Sequence, residues 1–430
     1  MRGSLTIKIG LVAVGFTGLF FMWVLRLDYH QAELHIQQEF AQRAIDTPRV
    51  LLVATCVGDG GKVTAVVNHY LALRKQGIPV VLLTVHESVL VAKMQQLGAP
   101  VVSCNAFRIS YKNYMWQPGL ERAMAKIVAK YSCTIIHLNG LKESVAAGKI
   151  AKNNAAIRVV YTHHETDSLP PYLLPHVDGV VCVGEPFYRK LQDAYDAGVT
   201  PRRNYVWIPP FFDSKRFLDF TTTEPHNAYF KRVFNTEFGE GPLLCMVANF
   251  YGLAHKNHPL LFEAVRIVMQ EYHIPLQVVC VGDGGTRAYC QELVHKLGLQ
   301  KSIHFLGATP EAPALLYYAD INILTSKSDA FPIVMLEGAL MKKATIASSG
   351  VGSVGSLIRD QDTGLVFTSG DARACADCIV KILNDAALQE RLGTNLFNEV
   401  ITNYTQDVLV TRLLNFYQKL LLIPRDNNRV

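Results

Sequence analysis

The chain has 430 residues, 50% hydrophobic and 18% charged, with 30 Gly and 19 Pro. That length is too great for one ordinary core and implies two domains, and the composition excludes a disordered chain. Forty-two basic against 36 acidic side chains leave +6, which suits anionic small molecules or phospholipid. No dense Lys/Arg block or aromatic-interleaved basic patch argues for nucleic acid as a partner.

From Ile9 to Leu25 every residue except Thr17 is apolar or small (IGLVAVGFTGLFFMWVL), with Lys8 and Arg26 at its ends and Trp23 where an interfacial aromatic would sit. At 1.5 Å per residue the run spans roughly 26 Å, enough for a bilayer core if the flanking cations snorkel. No small-x-small cleavage site follows, so residues 1–26 are expected to be a retained transmembrane anchor that makes the membrane a partner. Arg2 and Lys8 before the run and Arg26 and Arg43 after it leave its orientation open. LDYHQAELHIQQEFAQRAID has helical periodicity, and residues 27–48 read as a helical stalk.

Strand-like and helical runs alternate from about residue 49, the pattern of doubly wound α/β layers. VLLVATCV (50–57) reads as a buried strand, followed by the glycine turn GDGG and the helical KVTAVVNHYLALRKQG. VVLLTV (80–85), TIIHLNG (134–140), VVYTHH (159–164) and GVVCVG (179–184) read as further strands, each ending in polar or glycine residues. Ligands gather at such strand ends. A seam without a sustained strand covers 208–242, and the alternation then restarts in PLLCMVANF, PLQVVCVGDGG, SIHFLG, INILTS and ATIASS. The expected units are an N-terminal domain over 49–215, a C-terminal domain over 216–400, and a helix and tail over 401–430 packing back on the first domain.

In SKSDAFPIVMLEGALMKKATIASSGVG (326–352) two acids, Asp329 and Glu337, are separated by seven residues. Pro332 suits a helix start, so Ile333 and Val334 fall in a first turn whose free N–H groups and dipole favour a phosphate. Glu337, one turn deeper, is placed for hydroxyls such as a ribose diol, and Asp329 in the preceding loop for a sugar beyond the phosphates. The expected ligand is a nucleoside diphosphate sugar.

These residues carry a resemblance. The stretch resembles the E-x7-E signature of the group 1 family of retaining glycosyltransferases, whose usual form is E-G-F-x-x-x-x-x-E-A. VANFYGLAHKNHPLLFEA (247–264), VCVGDGG (279–285), LGLQKSIHFLG, LLYYADINILTS and DTGLVF (362–367) resemble other segments of that family, as do GDGGKVTAVVNHYLALRKQG, IIHLNG and VVYTHHE in the first half. The likeness covers about residues 50–422. It implies the GT-B fold, two Rossmann-like domains facing a cleft, and transfer of a sugar from a nucleoside diphosphate sugar to an acceptor hydroxyl with retained configuration.

Residue by residue, the resemblance implies that Lys256 contacts the donor diphosphate and Glu337 the ribose. Ile333 and Val334 would bind phosphate through their amides, and Gly60 and Gly61 would let backbone approach the donor. His164 would sit near the transferred sugar, whose hydroxyls Asp329 would hold. No metal or other cofactor is expected. Asp329 stands where the family usually has Glu, Asn249 where it has Arg in the donor site, and Ser356 where it has Glu after the glycine loop; Pro209, Pro210 and Phe211 replace its P-N-G. A neutral amide at 249 cannot offset a diphosphate by charge, so Lys256 or another cation must do so.

Other signals have simpler readings. Nine cysteines, odd in number and scattered in apolar runs, read as reduced core residues, and Cys375 with Cys378 lacks the further ligands of a zinc site. His163, His164 and Glu165 point to alternating faces of a strand, and Asp360 with Asp362 reads as a solvated turn. His137 reads equally as cleft lining or as structural. The rivals are a non-catalytic sugar-nucleotide binder and an epimerase of the same fold, with a dehydrogenase behind them for want of a dinucleotide fingerprint. An anchored transferase suggests a glycan or lipid-linked acceptor, with the catalytic domains expected on the cytosolic face, where nucleotide sugars are supplied.

Overall fold

A computed structural model describes residues 27–30, 47–54, 61–85, 89–99, 101–104, 118–140, 142–164, 175–198 and 204–424. The anchor expected over 1–26 lies outside them, as does the stalk over 31–46. Among the described residues no helix is long and apolar enough to cross a membrane.

The first sheet contains β1 (Leu27–His30), β2 (Val50–Ala54), β3 (Val80–Val85), β4 (Val101–Cys104), β5 (Ile135–Leu138), β6 (Arg158–His163), β7 (Gly179–Cys182) and β8 (Tyr205–Trp207). Their order is β1-β4-β3-β2-β5-β6-β7-β8, parallel except where β1 runs antiparallel to β4. The stalk reading is corrected here: Leu27–His30 is an edge strand, with Leu27 opposite Cys104, not the start of a helix. The open edge of β4 offers unpaired backbone groups, and pairing with them outweighs a local helical period.

Helices cover both faces of this sheet, which is why β2 reads VLLVA with no polar alternation. On one side Leu51 and Val53 pack with α3 (Pro118–Tyr131), α4 (Ser144–Lys152) and α5 (Glu185–Asp196). On the other, Val50, Leu52 and Ala54 pack with α1 (Gly61–Lys75) and α2 (Val89–Gln96).

The chain crosses to the second domain between Phe211, which packs in the first core, and Phe212, which packs in the second. Two short helices follow, α6 (Ser214–Leu218) and α7 (His226–Phe234). The boundary expected at 215/216 therefore cuts α6, whose Phe217 is buried in the second core. The second sheet is β9 (Leu243–Val247), β10 (Gln277–Val281), β11 (Ile303–Gly307), β12 (Ile321–Leu324), β13 (Ala344–Ser348) and β14 (Leu365–Phe367). The order is β11-β10-β9-β12-β13-β14, and all pairs are parallel. Its helices are α8 (Leu253–Lys256), α9 (His258–Glu271), α10 (Arg287–Lys296), α11 (Ala312–Tyr318), α12 (Ile333–Leu340), α13 (Ala372–Leu383) and α14 (Ala386–Asn403).

After Tyr404 the chain returns as α15 (Gln406–Leu422), whose Leu409, Leu413, Phe416, Tyr417 and Leu420 complete the first domain's core. Gly179 in β7 permits this, since a Cβ there would lie 2.6 Å from the Phe416 ring. Both sheets reverse strand order at one point, between β2 and β5 in the first and between β9 and β12 in the second. Crevices at such points, beyond the carboxyl ends of the strands, are where doubly wound sheets bind ligands.

Candidate active site

The second domain brings the sequence-predicted donor residues to its switch point. Lys256 ends α8, beyond β9, and Asp329 lies in the loop beyond β12, so adjacent parallel strands deliver a cation and an anion to one place. Lys256 Nζ and Asp329 Oδ2 form an ion pair, both side chains mostly buried. Thr325 fixes the approach by donating its hydroxyl to the carbonyls of Lys256 and Asn257, at 3.0 Å each. Asn257 turns the chain at φ 52° between α8 and α9, a conformation asparagine tolerates better than most residues.

Pro332 is the N-cap of α12, with φ −74° and extended ψ, so Ile333 and Val334 occupy the first turn as expected. Amides there have no intrahelical acceptor and point outward. Glu337 sits one turn on and keeps some solvent contact. Burial nonetheless pushes its carboxyl up to about 7, while the Arg216 guanidinium pulls the other way. Arg216 was not singled out in the sequence; it comes from α6, which packs against α12.

Asn249 follows β9, half-buried, beneath the glycine turn after β10. Gly282 (φ 134°) and Gly284 (φ 150°) are needed there, because a Cβ on either would collide with the backbone of Ala248–Phe250. His258 stacks on Phe250 at 3.9 Å, and burial, aided by the Lys256 charge, pushes its imidazole down to about 4.

In the first domain Gly61 opens α1, exposed, with nothing within 4 Å of a built Cβ; Gly60 lies outside the described residues. His164 follows β6, its Nε2 3.2 Å from Asn139 Oδ1. His163 faces the other way, buried against Phe187 at 3.9 Å. His137 is fully buried, Nδ1 2.5 Å from the Tyr417 hydroxyl and Nε2 2.5 Å from Thr162 Oγ1. Burial holds His137 neutral, well below the usual imidazole range, and pushes His69 down to about 3. This layer of His69, His137, Thr162 and Tyr417 was not assembled from the sequence, because its members are up to 348 residues apart.

The two halves meet. Gly184 abuts the Ala330 carbonyl next to Asp329, at 2.9 Å from a built Cβ, and Val183 packs into the second domain's core. Asp329, one residue before Ala330, thus lies near this junction in the second domain, and His164 follows β6 in the first.

The other motifs are engaged elsewhere where they are described, and Glu165 lies outside the described residues. Asp362 pairs with Arg359 at 2.8 Å, Asp360 accepts from the Val366 amide at 2.9 Å, and burial pushes Cys378 up to about 11. Among the described residues no three His, Cys, Asp or Glu side chains cluster as metal ligands.

Two family models match: "Glycosyl transferases group 1" over residues 230–398 and "Glycosyltransferase Family 4" over 59–216. The chain is 21% identical over 327 residues to the N-acetyl-alpha-D-glucosaminyl L-malate synthase of Bacillus anthracis, covering 72% of this chain and 82% of that one. It is 24% identical over 207 residues to the N,N'-diacetylbacillosaminyl-diphospho-undecaprenol alpha-1,3-N-acetylgalactosaminyltransferase of Campylobacter jejuni, covering 48% of this chain and about half, 52%, of that relative. Among solved structures, a glycosyltransferase from Rickettsia africae aligns with TM-score 0.73 and 20% identity, over 87% of this chain and 99% of that one. HepE from Anabaena, in complex with UDP, aligns with TM-score 0.70 and 16% identity, over 86% and 100%. These likenesses establish a shared GT-B fold.

Proposed function

The chain belongs to the group 1 glycosyltransferases, and from that premise we propose that it moves a sugar, with retained configuration, from a nucleoside diphosphate sugar to a glycan or lipid-linked hydroxyl. The observation that carries the reading is the arrangement of Lys256, Asp329 and Glu337 around the first turn of α12 at the second sheet's switch point. UDP in the Anabaena structure supports the donor class, and the undecaprenol-linked substrate in the Campylobacter name supports the acceptor class.

In this mechanism the diphosphate lies over the amides of Ile333 and Val334, with Lys256 offsetting the charge that grows as it departs. Glu337 takes the ribose hydroxyls, Asp329 the hydroxyls of the transferred sugar, and His164 approaches that sugar from the opposite domain. Gly60 and Gly61 let backbone near the donor. The acceptor oxygen bonds to the anomeric carbon as the bond to the diphosphate oxygen breaks, and the hydroxyl proton passes to the departing diphosphate. Because Lys256 and the amides supply positive charge, the reaction as proposed uses no metal. Asn249 adds none, which places more of the load on Lys256.

Closure of the domains would exclude water from the donor. The anchor proposed over residues 1–26 would hold the catalytic domains at the cytosolic face of a membrane, near a lipid-linked acceptor. Lys256→Ala and Glu337→Ala are each expected to lower turnover of the nucleotide sugar on the order of 10²-fold or more. Rates within a few-fold of wild type in both would refute the assignment.

A further inference from the structure

We propose that Asn139 is a positioning residue: its amide oxygen fixes the His164 ring through Nε2–H, and its amide N–H group is left to bind an oxygen of the transferred sugar. The inference rests on the glycosyltransferase reading above. Asn139 follows β5 and His164 follows β6, neighbouring parallel strands, so both side chains emerge at the carboxyl edge of the first sheet. The Asn139 backbone amide is pinned to the Val53 carbonyl of β2 at 2.8 Å, which ties the residue to the switch point itself.

The hydrogen bond is directional. An amide oxygen only accepts, so a contact of 3.2 Å from His164 Nε2 to Asn139 Oδ1 places the imidazole proton on Nε2. The other half of the amide is unspent. Asn139 Nδ2 is buried and has no hydrogen-bond partner among the described residues. A buried donor left so keeps its full desolvation penalty, which a ligand oxygen would remove.

Asn139 and His164 line one pocket with His69, His137, Thr162 and Phe211. Its other polar groups are engaged: His137 with Tyr417 and Thr162, and His69 against Tyr417 at 3.5 Å while stacked on Phe211. Of the polar side chains lining this pocket, Asn139 alone keeps a buried nitrogen or oxygen without a partner among the described residues. A donor beside the histidine, in a pocket reaching Val183 at the domain junction, fits a hydroxyl of the sugar held from the far side by Asp329.

Two variants of the full chain separate the halves of the amide. Asn139→Asp keeps an acceptor in the same place and removes the donor; Asn139→Leu removes both. The His164 tautomer is read from imidazole ¹⁵N resonances, identified by their loss in His164→Gln. Turnover is read as nucleoside diphosphate released from the nucleotide sugar, and affinity for the free nucleoside diphosphate reports on folding.

The Nε2–H tautomer is expected in wild type and Asn139→Asp but not in Asn139→Leu. In Asn139→Leu, kcat should fall about 10- to 100-fold. Asn139→Asp should raise KM for the nucleotide sugar several-fold, and neither variant should lose affinity for the free diphosphate. An Asn139→Leu variant with the wild-type tautomer, or both variants with kcat and KM within twofold of wild type, would overturn the proposal. A wild-type chain that releases no diphosphate from any donor would defeat the glycosyltransferase reading, and the tautomer comparison would still decide the Asn139–His164 contact.

Discussion

At the scale of single residues, the proposed donor site neutralises its own cation: Lys256 is held by Asp329. A diphosphate must compete with that carboxylate, and the competition makes the two roles of Asp329 separable. Asp329→Asn should release Lys256 and tighten binding of a free nucleoside diphosphate about three- to tenfold, the scale of one partly screened charge pair. The same change should lower sugar transfer, because an acceptor for the sugar hydroxyls is lost. Titration calorimetry of both forms reads the first effect, and weaker binding in the variant would show that Asp329 does not restrain Lys256. These residues were legible in the sequence because they lie within one motif or at a fixed offset from a strand end. Arg216 and Asn139 were not, since nothing local marks a linker arginine as the neighbour of Glu337 or an asparagine as the partner of a histidine one strand away.

At the scale of elements, α15 is the piece whose place depends most on distant contacts. Its amphipathic pattern was readable, and its docking depends on Arg158, a buried cation at the head of β6. The Arg158 Nε donates to the Leu420 carbonyl at 2.9 Å and Nη2 to the Ile423 carbonyl at 2.7 Å. A cation thus satisfies the orphan carbonyls and the negative end of the helix dipole. Arg158→Ala should cost about 2–4 kcal/mol, from lost hydrogen bonds and lost packing in a nearly closed site. Urea denaturation checks this, and an unchanged midpoint would mean that α15 is held by its apolar face alone. Most strands of both sheets were foreseen, because continuous apolar runs between glycine and polar turns leave few alternatives. The pairing of β1 was not: its partner is about 75 residues away, and its own stretch repeats with a helical period.

At the scale of the whole molecule, the chain crosses between domains twice, at Phe211 and Phe212 and again after Tyr404, and Phe211 at the first crossing stacks on the buried His69. His69 is pushed from 6.5 down to about 3 by burial. A group whose folded value is lowered contributes stability that is whole above its unfolded value and is lost as pH falls. His69, and His137 with it, should therefore make the first domain lose stability progressively from about pH 6.5 toward pH 3. Glu337 acts in the opposite sense: raised from 4.5 to about 7, its contribution is present below about pH 4.5 and is lost as pH rises through 7. Stability measured from pH 8 to pH 5 should fall less steeply in His69→Leu than in wild type, and an equal slope would remove the histidine layer from the account.

The central claim is that the second domain's switch point is a nucleotide-sugar site built on Glu337, Lys256 and the first turn of α12. Thermal stabilisation of the chain by a panel of nucleoside diphosphate sugars, beside a Glu337→Ala control, tests it most directly. A rise in melting temperature for one donor, absent in the control, is the predicted result. The contradicting result is no rise for any donor, or a rise of equal size without Glu337.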